Sequence, residues 1–361
     1  MRYKLSAPAT LHTTIQLPAS KSISNRALIL HALAQGHIAP SNLSDCDDTR
    51  VMIKALDGNP GHIDILAAGT AMRFLTAYLS VTPGTRIITG TERMQQRPIR
   101  ILVDALRELG AQIEYAGKEG FPPLRITGTE LTGEEISLAG NVSSQYISAL
   151  LMIGPILKNG LRLNLTGEII SRPYINLTLQ LMKEFGADAA WSSESSITVR
   201  PGKYRDIPFT VESDWSGASY WYQMVALIQD NEKKESTKTE IKLPGLLPRS
   251  YQGDSRGAEI FAKLGVHTTY TDQGVILTKM GTSVTCLKED LVDIPDLAQT
   301  FVVTCCLMNI PFRFTGLQSL KIKETDRIQA LITELNKLGY VVKSEQDSIL
   351  TVSYTHLTLP T

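Results

Sequence analysis

Four segments of the chain share one pattern of hydrophobic and polar positions. Each segment has apolar residues three and four positions apart, which is the period of a helix with one buried face. Each then reaches a glycine and a short strand-like stretch: Leu102–Tyr115, Leu177–Trp191, Ala258–Tyr270 and Ile328–Val342. The glycines lie 76, 79 and 74 residues apart: Gly110, Gly186, Gly265 and Gly339. The pattern predicts four helices that each end at a left-handed glycine and lead into a strand.

A second series of positions alternates with the first. Small or polar residues open apolar stretches at Thr70, Ser144, Gly217 and Asp296, and the first three are 74 and 73 residues apart. A solenoid repeat has a period of roughly 20–50 residues, so these spacings favour a larger βαβα-type unit that is copied along an α/β chain. The start of a helix carries unpaired N–H groups and partial positive charge. The repeated helix starts therefore predict a site that binds anions.

Composition narrows the class of protein. The chain has 361 residues, which suits two domains of ordinary size, and 43% of them are apolar and 20% charged, as in globular proteins. Its 36 basic and 36 acidic residues give a formal charge of zero. That balance removes the general attraction to phosphate backbones on which nucleic-acid-binding proteins rely. We therefore expect no nucleic-acid partner.

Cysteine spacing and hydropathy indicate the cellular compartment of the protein. The four cysteines (Cys46, Cys286, Cys305 and Cys306) show neither a metal-binding spacing nor a disulfide framework, which indicates a reducing compartment. Residues Met1 to Ser20 have no apolar signal region. The longest apolar stretch, Tyr146 to Leu157, is too short to cross a bilayer. We expect a cytoplasmic protein with no membrane partner.

Several blocks of residues are candidates for chemistry at helix starts. Lys21 and Arg26 stand with serines before an apolar helix, a combination that can cradle a phosphate or carboxylate. Gly69 allows a ligand to approach the backbone closely. Arg97 directly precedes Pro98, and an arginine there can offer its planar fork to a carboxylate. Taken singly, each block is also compatible with an ordinary helix cap or a solvated surface side chain.

The remaining candidate blocks carry hydroxyl, amide, phenol and carboxylate groups. They are Val142–Gln145, Ser171–Tyr174, the helix start at Asp296, and Lys321–Arg327. Hydroxyl and amide donors suit a ligand with many oxygens. A carboxylate at a helix start is most often a cap, and that interpretation is strong for Asp326.

Together, these blocks resemble one known family. In chain order they read SKSISNR, AAGTAMR, RMQQRPI, VSSQ, SRPY, IPD and KIKETDR. The set strongly resembles the 5-enolpyruvylshikimate-3-phosphate synthase (EPSP synthase) family from about Leu17 to Val352. The resemblance implies an α/β fold of two similar lobes, each built from three repeated βαβαββ units. One lobe would be residues 1–18 plus 212–361, and the other would be residues 19–211.

The resemblance also implies a reaction and a set of site residues. The enolpyruvyl group of phosphoenolpyruvate would pass to the 5-hydroxyl of shikimate 3-phosphate, with release of phosphate and without a metal or other cofactor, in a monomeric enzyme. The residues that would bind shikimate 3-phosphate are Ser22, Arg26, Ser143, Ser144, Gln145, Ser171, Tyr174, Asp296 and Lys323. Those that would bind phosphoenolpyruvate are Lys21, Gly69, Arg97, Gln145 and Arg327. The catalytic residues would be Lys21, Asp296 and Glu324, with Asp296 as base toward the attacking hydroxyl.

The chain departs from the family pattern in three places. Ala67 stands where many members have asparagine, and the stretch from Leu56 to Ile65 is shorter than usual, as if a strand pair were trimmed. The late Asp-His-Arg segment and late lysine of the family have no counterpart, and Ser353–Thr361 matches nothing expected there. We therefore expect a chain that is truncated at its C-terminus, with an incomplete last unit and little or no activity.

Two other functions stay open from the sequence. The enolpyruvyl transferase that acts on a UDP-linked amino sugar shares the fold, but it typically has a cysteine in the loop that here reads Arg93 to Arg97. A product that binds shikimate 3-phosphate without catalysing a reaction is the second alternative. Activity measured with each acceptor substrate separates these interpretations.

Overall fold

The structure is a computed structural model that describes residues 11–58, 60–228, 239–323, 325–346 and 349–352. The chain forms two compact units, which we call the inserted body (Ala19–Glu212) and the split body (Met1–Pro18 with Ser213–Thr361). The sequence predicts the second crossing at residue 212, one residue before the split body resumes.

The described part of the chain contains both helices and strands. The helices are α1 (Lys21–Leu33), α2 (Asp47–Leu56), α3 (Gly69–Val81), α4 (Glu92–Gln95), α5 (Arg100–Glu108), α6 (Ser144–Ile153), α7 (Arg172–Glu184), α8 (Trp215–Leu227), α9 (Gly257–Lys263), α10 (Ala298–Leu307) and α11 (Arg327–Lys337). Among the described residues, none of these helices has the length and apolar character needed to cross a membrane.

The strands belong to four sheets of four strands each. They are β1 (His12–Thr14), β2 (His62–Asp64), β3 (Gly84–Thr89), β4 (Gln112–Tyr115), β5 (Leu124–Gly128), β6 (Glu135–Ala139), β7 (Leu161–Thr166), β8 (Ala189–Trp191), β9 (Ser196–Val199), β10 (Glu240–Pro244), β11 (Val266–Thr271), β12 (Gly274–Lys279), β13 (Leu287–Asp290), β14 (Phe312–Thr315), β15 (Lys343–Glu345) and β16 (Ile349–Val352).

All four sheets have the same topology. The strand orders are β2-β3-β5-β4 and β6-β7-β9-β8 in the inserted body, and β1-β10-β12-β11 and β13-β14-β16-β15 in the split body. In each sheet the first two strands are parallel and the last two are antiparallel. Each sheet is therefore one βαβαββ unit of the kind that the repeat predicts, but the described residues of each body contain two such sheets and not the three units that the resemblance implies.

The glycines that the repeat singles out end their helices as expected. Gly110, Gly186, Gly265 and Gly339 have φ values of 102°, 88°, 88° and 86°. A residue with a Cβ is rarely stable in this region, whereas glycine enters it without strain. These four residues therefore define the points at which the chain leaves a helix and turns into the third strand of each unit.

The last described unit is a complete sheet, whereas the sequence predicts that it is incomplete. Its sheet has all four strands, because β16 pairs with β14 on one side and with β15 on the other. The repeated pattern in the sequence extends only to Ile328–Val342, so it does not identify the strand Ile349–Val352. Residues 353–361 lie outside the described residues.

The inserted body also contains a reduced third arrangement of elements. Helices α1 and α2 pack on the other helices, and a parallel bridge joins Ser41 to Thr210. Helix α2 ends at Leu56 and β2 begins at His62, and the described residues between them contain no strand. The trimmed strand pair between Leu56 and Ile65 stays a prediction.

Each body has its own hydrophobic core. The core of the inserted body is mostly aliphatic and includes the buried faces of α1, α3, α6 and α7. The core of the split body contains a row of aromatic rings, in which the Phe261 ring lies 5.3 Å from Tyr222 and 4.9 Å from Phe301. Rings at these separations attract one another beyond simple burial, so this row holds α8, α9 and α10 together.

Candidate active site

Four helices of the inserted body begin with residues that the sequence predicts as ligands. Lys21 is the first residue of α1, Gly69 the first of α3 and Ser144 the first of α6, while Ser171 precedes α7. At α3 and α7 the preceding residues, Ala68 and Ser171, make no side-chain cap bond. A bound anion can accept from the first N–H groups of such helices.

A side-chain hydrogen bond joins the starts of two of these helices. Gln145 Nε2 on α6 donates to Thr70 Oγ1 on α3 over 3.2 Å. Ser143 Oγ caps α6 by accepting from the Gln145 backbone N–H at 3.4 Å. The N-termini of α3 and α6 therefore meet at one place, and Gln145 lies between them.

Gly69 and Arg97 lie in direct contact. A Cβ added to Gly69 would be 2.5 Å from Arg97 Nη1 and 3.0 Å from its Cζ, so a side chain at this position would require the guanidinium to shift. The Arg97 side chain is also largely buried, with 8% of the residue exposed. The structure thus brings together two residues that the sequence predicts to hold the same substrate.

Arg26 lies deeper than its position in the sequence suggests. Only 3% of the residue is exposed, and its guanidinium binds acceptors on three helices. Nε donates to Thr178 Oγ1 at 2.7 Å, Nη2 to Ser148 Oγ at 3.1 Å and Nη1 to the Ser22 carbonyl at 2.8 Å. The guanidinium also lies 5.2 Å from the centre of the Phe74 ring. Arg26 therefore ties α1, α6 and α7 together.

Burial has an electrostatic effect on Arg26. Desolvation lowers the pKa of its guanidinium to about 10, and interaction with Tyr174 acts in the opposite direction. The group nevertheless stays protonated at neutral pH. No carboxylate pairs with it in the described part of the chain, so its positive charge adds to that of the helix N-termini.

Ser171 adopts a conformation that is unusual for a residue with a side chain. Its φ is 55°, in the left-handed region, and it is 6% exposed. Such backbone strain is common at ligand-binding positions. Contacts with the β8–β9 hairpin hold the start of α7. Arg172 lies 4.0 Å from the centre of the Trp191 ring and donates to the Glu194 carbonyl. Tyr174, in the first turn, is half-buried.

The split body has its own cluster of predicted residues. Asp296 Oδ1 lies 3.0 Å from Arg327 Nη1 and 3.2 Å from Lys323 Nζ. Asp296 is in a 3₁₀ turn (Pro295–Leu297) before α10, Lys323 follows the 3₁₀ turn Gln318–Ile322, and Arg327 begins α11. About a quarter of each side chain is exposed, so a ligand can reach all three.

Two further predictions concern residues beside this cluster. Asp326 Oδ1 accepts from the Gln329 backbone N–H at 3.0 Å, so it caps α11 as the sequence indicates. Glu324, the predicted proton carrier, lies outside the described residues. Among the described residues, no group of three or more histidine, cysteine, aspartate or glutamate side chains has the arrangement needed to hold a metal ion.

Sequence analysis assigns no role at the site to Arg73 or Tyr146. Arg73 is 4% exposed, and it donates to the Gly69 carbonyl at 3.0 Å and to the Pro98 carbonyl at 3.4 Å. Tyr146 OH donates to the same Pro98 carbonyl at 2.7 Å. An arginine in the apolar stretch of α3 was the one available signal, because a buried cation needs acceptors nearby.

Comparison with known proteins finds one family. A family model described as EPSP synthase (3-phosphoshikimate 1-carboxyvinyltransferase) matches residues 5–58 and 59–358. A 3-phosphoshikimate 1-carboxyvinyltransferase of Bacteroides fragilis is 71% identical over 350 residues, which are 97% of this chain and 83% of the relative. One of Shewanella pealeana is 37% identical over 364 residues, covering 93% of this chain and 83% of the relative.

Solved structures show the same fold. The EPSP synthase of Acinetobacter baumannii, determined at 2.37 Å, matches with a TM-score of 0.73 at 20% identity, over 94% of this chain and 81% of that one. A second structure from the same organism gives a TM-score of 0.69, also at 20% identity, over 95% and 82%. With the family model matching nearly the whole chain and a relative 71% identical, this chain belongs to the EPSP synthase family.

Proposed function

We propose that this protein transfers the enolpyruvyl group of phosphoenolpyruvate to the 5-hydroxyl of shikimate 3-phosphate and releases inorganic phosphate. The observation that carries the proposal is the contact of Asp296 with both Lys323 and Arg327. Two cationic side chains that the family motifs single out, those of Lys323 and Arg327, converge on one carboxylate oxygen of Asp296, which lies in a separate motif. The relatives' name, 3-phosphoshikimate 1-carboxyvinyltransferase, supports the same reaction.

The inserted body supplies groups suited to anionic substrates. We propose that Ser22, Ser143, Ser144, Ser171 and Tyr174 hold shikimate 3-phosphate, since hydroxyls at helix starts donate to phosphate and sugar-like oxygens. Arg26 would contribute mainly by holding three helices and by its charge, since three of its nitrogens already bond to protein acceptors.

A second set in the inserted body is suited to phosphoenolpyruvate. We propose that Lys21, Gly69, Arg97 and Gln145 bind this substrate. The contact between Gly69 and Arg97 supports the proposal, because a guanidinium beside a helix start offers two kinds of donor to one carboxylate or phosphate.

The proposed chemistry needs one base and one acid. Asp296 would remove the proton of the 5-hydroxyl as its oxygen bonds to C2 of phosphoenolpyruvate, while Glu324 or Lys21 would donate a proton to the methylene carbon. The tetrahedral adduct would then lose a proton and inorganic phosphate, which restores the double bond. Positioned groups of this kind contribute about 10²–10⁴-fold each to the rate.

Phosphate release tests the proposed function. The chain is mixed with phosphoenolpyruvate and shikimate 3-phosphate, and its rate is compared with that of the Bacteroides fragilis relative. Binding of shikimate 3-phosphate alone is measured by calorimetry, and its absence in a folded sample would contradict the proposal. The expectation of low activity in these 361 residues stays a prediction, which a rate near that of the relative would contradict.

Lys323→Met should weaken shikimate 3-phosphate binding by roughly fivefold, or about 1 kcal/mol. The lysine is partly exposed and forms an ion pair with Asp296, so the loss of affinity should be modest. Calorimetric titration measures the affinity. Lys337→Met, at an exposed lysine paired with Glu334, is the matched control and should leave the affinity unchanged. Equal affinities in both variants would remove Lys323 from the proposed site.

Gly69→Ala should weaken phosphoenolpyruvate binding by roughly fivefold or more, because the new methyl group forces the Arg97 guanidinium to move. Titration with phosphoenolpyruvate in the presence of shikimate 3-phosphate measures the change. Gly61→Ala is the control, since a Cβ at Gly61 would have no atom within 4 Å. Wild-type affinity in Gly69→Ala would show that the contact with Arg97 is unimportant for binding.

The remaining expectations concern the assembly and location of the protein. We propose that it is a monomer and acts in the cytoplasm. Sedimentation of the purified chain tests the first part, and a sedimentation coefficient corresponding to twice the mass of 39.7 kDa would contradict it.

A further inference from the structure

The carbonyl of Pro98 is an unusual acceptor in the inserted body. Tyr146 OH, on α6, donates to it at 2.7 Å, and Arg73 Nη2, on α3, donates to it at 3.4 Å. The Arg73 guanidinium also lies 5.8 Å from the centre of the Tyr146 ring. One main-chain oxygen in the loop between α4 and α5 is thus fixed from two helices.

This oxygen belongs to the residue that directly follows Arg97. The Arg97–Pro98 bond already limits the backbone of Arg97 to extended conformations. The donors to the Pro98 carbonyl fix the orientation of the next peptide plane as well. Arg97 therefore has its side chain against Gly69 and its backbone anchored one residue later.

Arg73 and Tyr146 are also linked to other residues of the proposed phosphoenolpyruvate site. Arg73 Nη1 donates to the carbonyl of Gly69 at 3.0 Å. Tyr146 directly follows Gln145, whose side chain bonds to Thr70. A displacement of Tyr146 would therefore disturb the loop of Arg97, while Ser22 on α1 and Tyr174 on α7, two of the groups proposed for shikimate 3-phosphate, keep their own surroundings.

We propose that Tyr146 is a positioning residue for phosphoenolpyruvate recognition: its hydroxyl holds the Pro98 carbonyl and thereby the Arg97 guanidinium at the start of α3. The inference rests on the proposed function for the identity of the ligand. Its structural part, that Tyr146 fixes Arg97, can be measured without that ligand. Tyr146 is 6% exposed, so water does not easily replace the lost hydroxyl.

The inserted body offers a closely matched control. Tyr204 is 5% exposed, and its hydroxyl also donates to a main-chain carbonyl, that of Met152, at 2.7 Å. Tyr146→Phe and Tyr204→Phe each remove one buried hydrogen bond of the same type and length. Any general loss of stability should be similar in both, and thermal unfolding measures it. Only Tyr146→Phe should affect Arg97.

Two measurements test the proposal. Calorimetry with shikimate 3-phosphate present should show phosphoenolpyruvate affinity about three- to tenfold weaker in Tyr146→Phe. Affinity for shikimate 3-phosphate should stay within about twofold, and Tyr204→Phe should match the unmodified chain in both. Independently, peptide mapping after treatment with phenylglyoxal, which modifies accessible arginines, should show faster modification of Arg97 in Tyr146→Phe alone.

Each result has a defined meaning. Equal modification rates of Arg97 in the two variants, or equal phosphoenolpyruvate affinity in Tyr146→Phe and the unmodified chain, would overturn the positioning role. If the unmodified chain binds no phosphoenolpyruvate, the ligand assignment of the proposed function fails. In that case the modification rate of Arg97 alone decides whether Tyr146 positions it.

Discussion

Arg26→Met should lower the free energy of unfolding of the inserted body by about 2–4 kcal/mol. The substitution removes donors from Thr178, Ser148 and the Ser22 carbonyl, which lie on α7, α6 and α1. It also removes the contact with the Phe74 ring. Methionine fills much of the volume and avoids the cost of a buried charge, but it leaves these acceptors without the bonds that join three helices.

Native-state hydrogen exchange measures this loss where it occurs. Amides of α1, α6 and α7 that exchange through opening of the body should do so roughly 30- to 1,000-fold faster. Arg50→Met is the control, because Arg50 is 61% exposed and its nearest carboxylate is 3.7 Å away. The control should change stability by less than about 0.5 kcal/mol. Unchanged protection in α1 and α7 would mean that apolar packing alone holds these helices.

Arg97→Lys should weaken phosphoenolpyruvate binding far more than the conserved charge suggests, by about 1–3 kcal/mol or roughly five- to a hundredfold. The guanidinium offers a planar fork to a carboxylate, whereas the lysine ammonium is a point charge. The position is also confined, because the guanidinium lies against Gly69. A lysine there reaches the same region with fewer donors and without their fixed geometry.

Titration with phosphoenolpyruvate in the presence of shikimate 3-phosphate measures the effect of Arg97→Lys. Arg100→Lys is a close control, since Arg100 lies three residues later on α5, is 51% exposed and pairs with Glu119. Its affinity should equal that of the unmodified chain. If Arg97→Lys behaves like Arg100→Lys, Arg97 does not hold the substrate.

The repeat and the helix starts could be predicted from the sequence because their signals are local. The helix period, the glycine at each C-terminal end and the small residues at each N-terminal start all lie within one unit, and Gly110 and Gly339 have the positive φ that such a glycine implies. The same local signals place Gly69, Ser144 and Ser171 at helix starts. These residues set most of the fold and much of the candidate site.

Contacts between residues that are far apart along the chain could not be predicted from the sequence. Arg26 was placed at an open helix start, but its acceptor Thr178 lies 152 residues away and Ser148 lies 122 away. Tyr146 was assigned to an apolar stretch, and its bond to Pro98 spans 48 residues. Nothing local distinguishes a serine or tyrosine that packs in a core from one that holds a functional loop, because the difference depends on what the fold brings beside it.

The split body has a consequence for the order in which the protein is made. Strand β1 pairs with β10 in a register that sets His12 beside Glu240. A ribosome adds about 5–20 residues per second, so β1 leaves it roughly 11–46 s before β10. The whole inserted body is synthesised in that interval and can fold as a continuous stretch. Meanwhile the residues of β1 have no β10 to pair with, so the rate of translation sets how long they are available to pair with other chains.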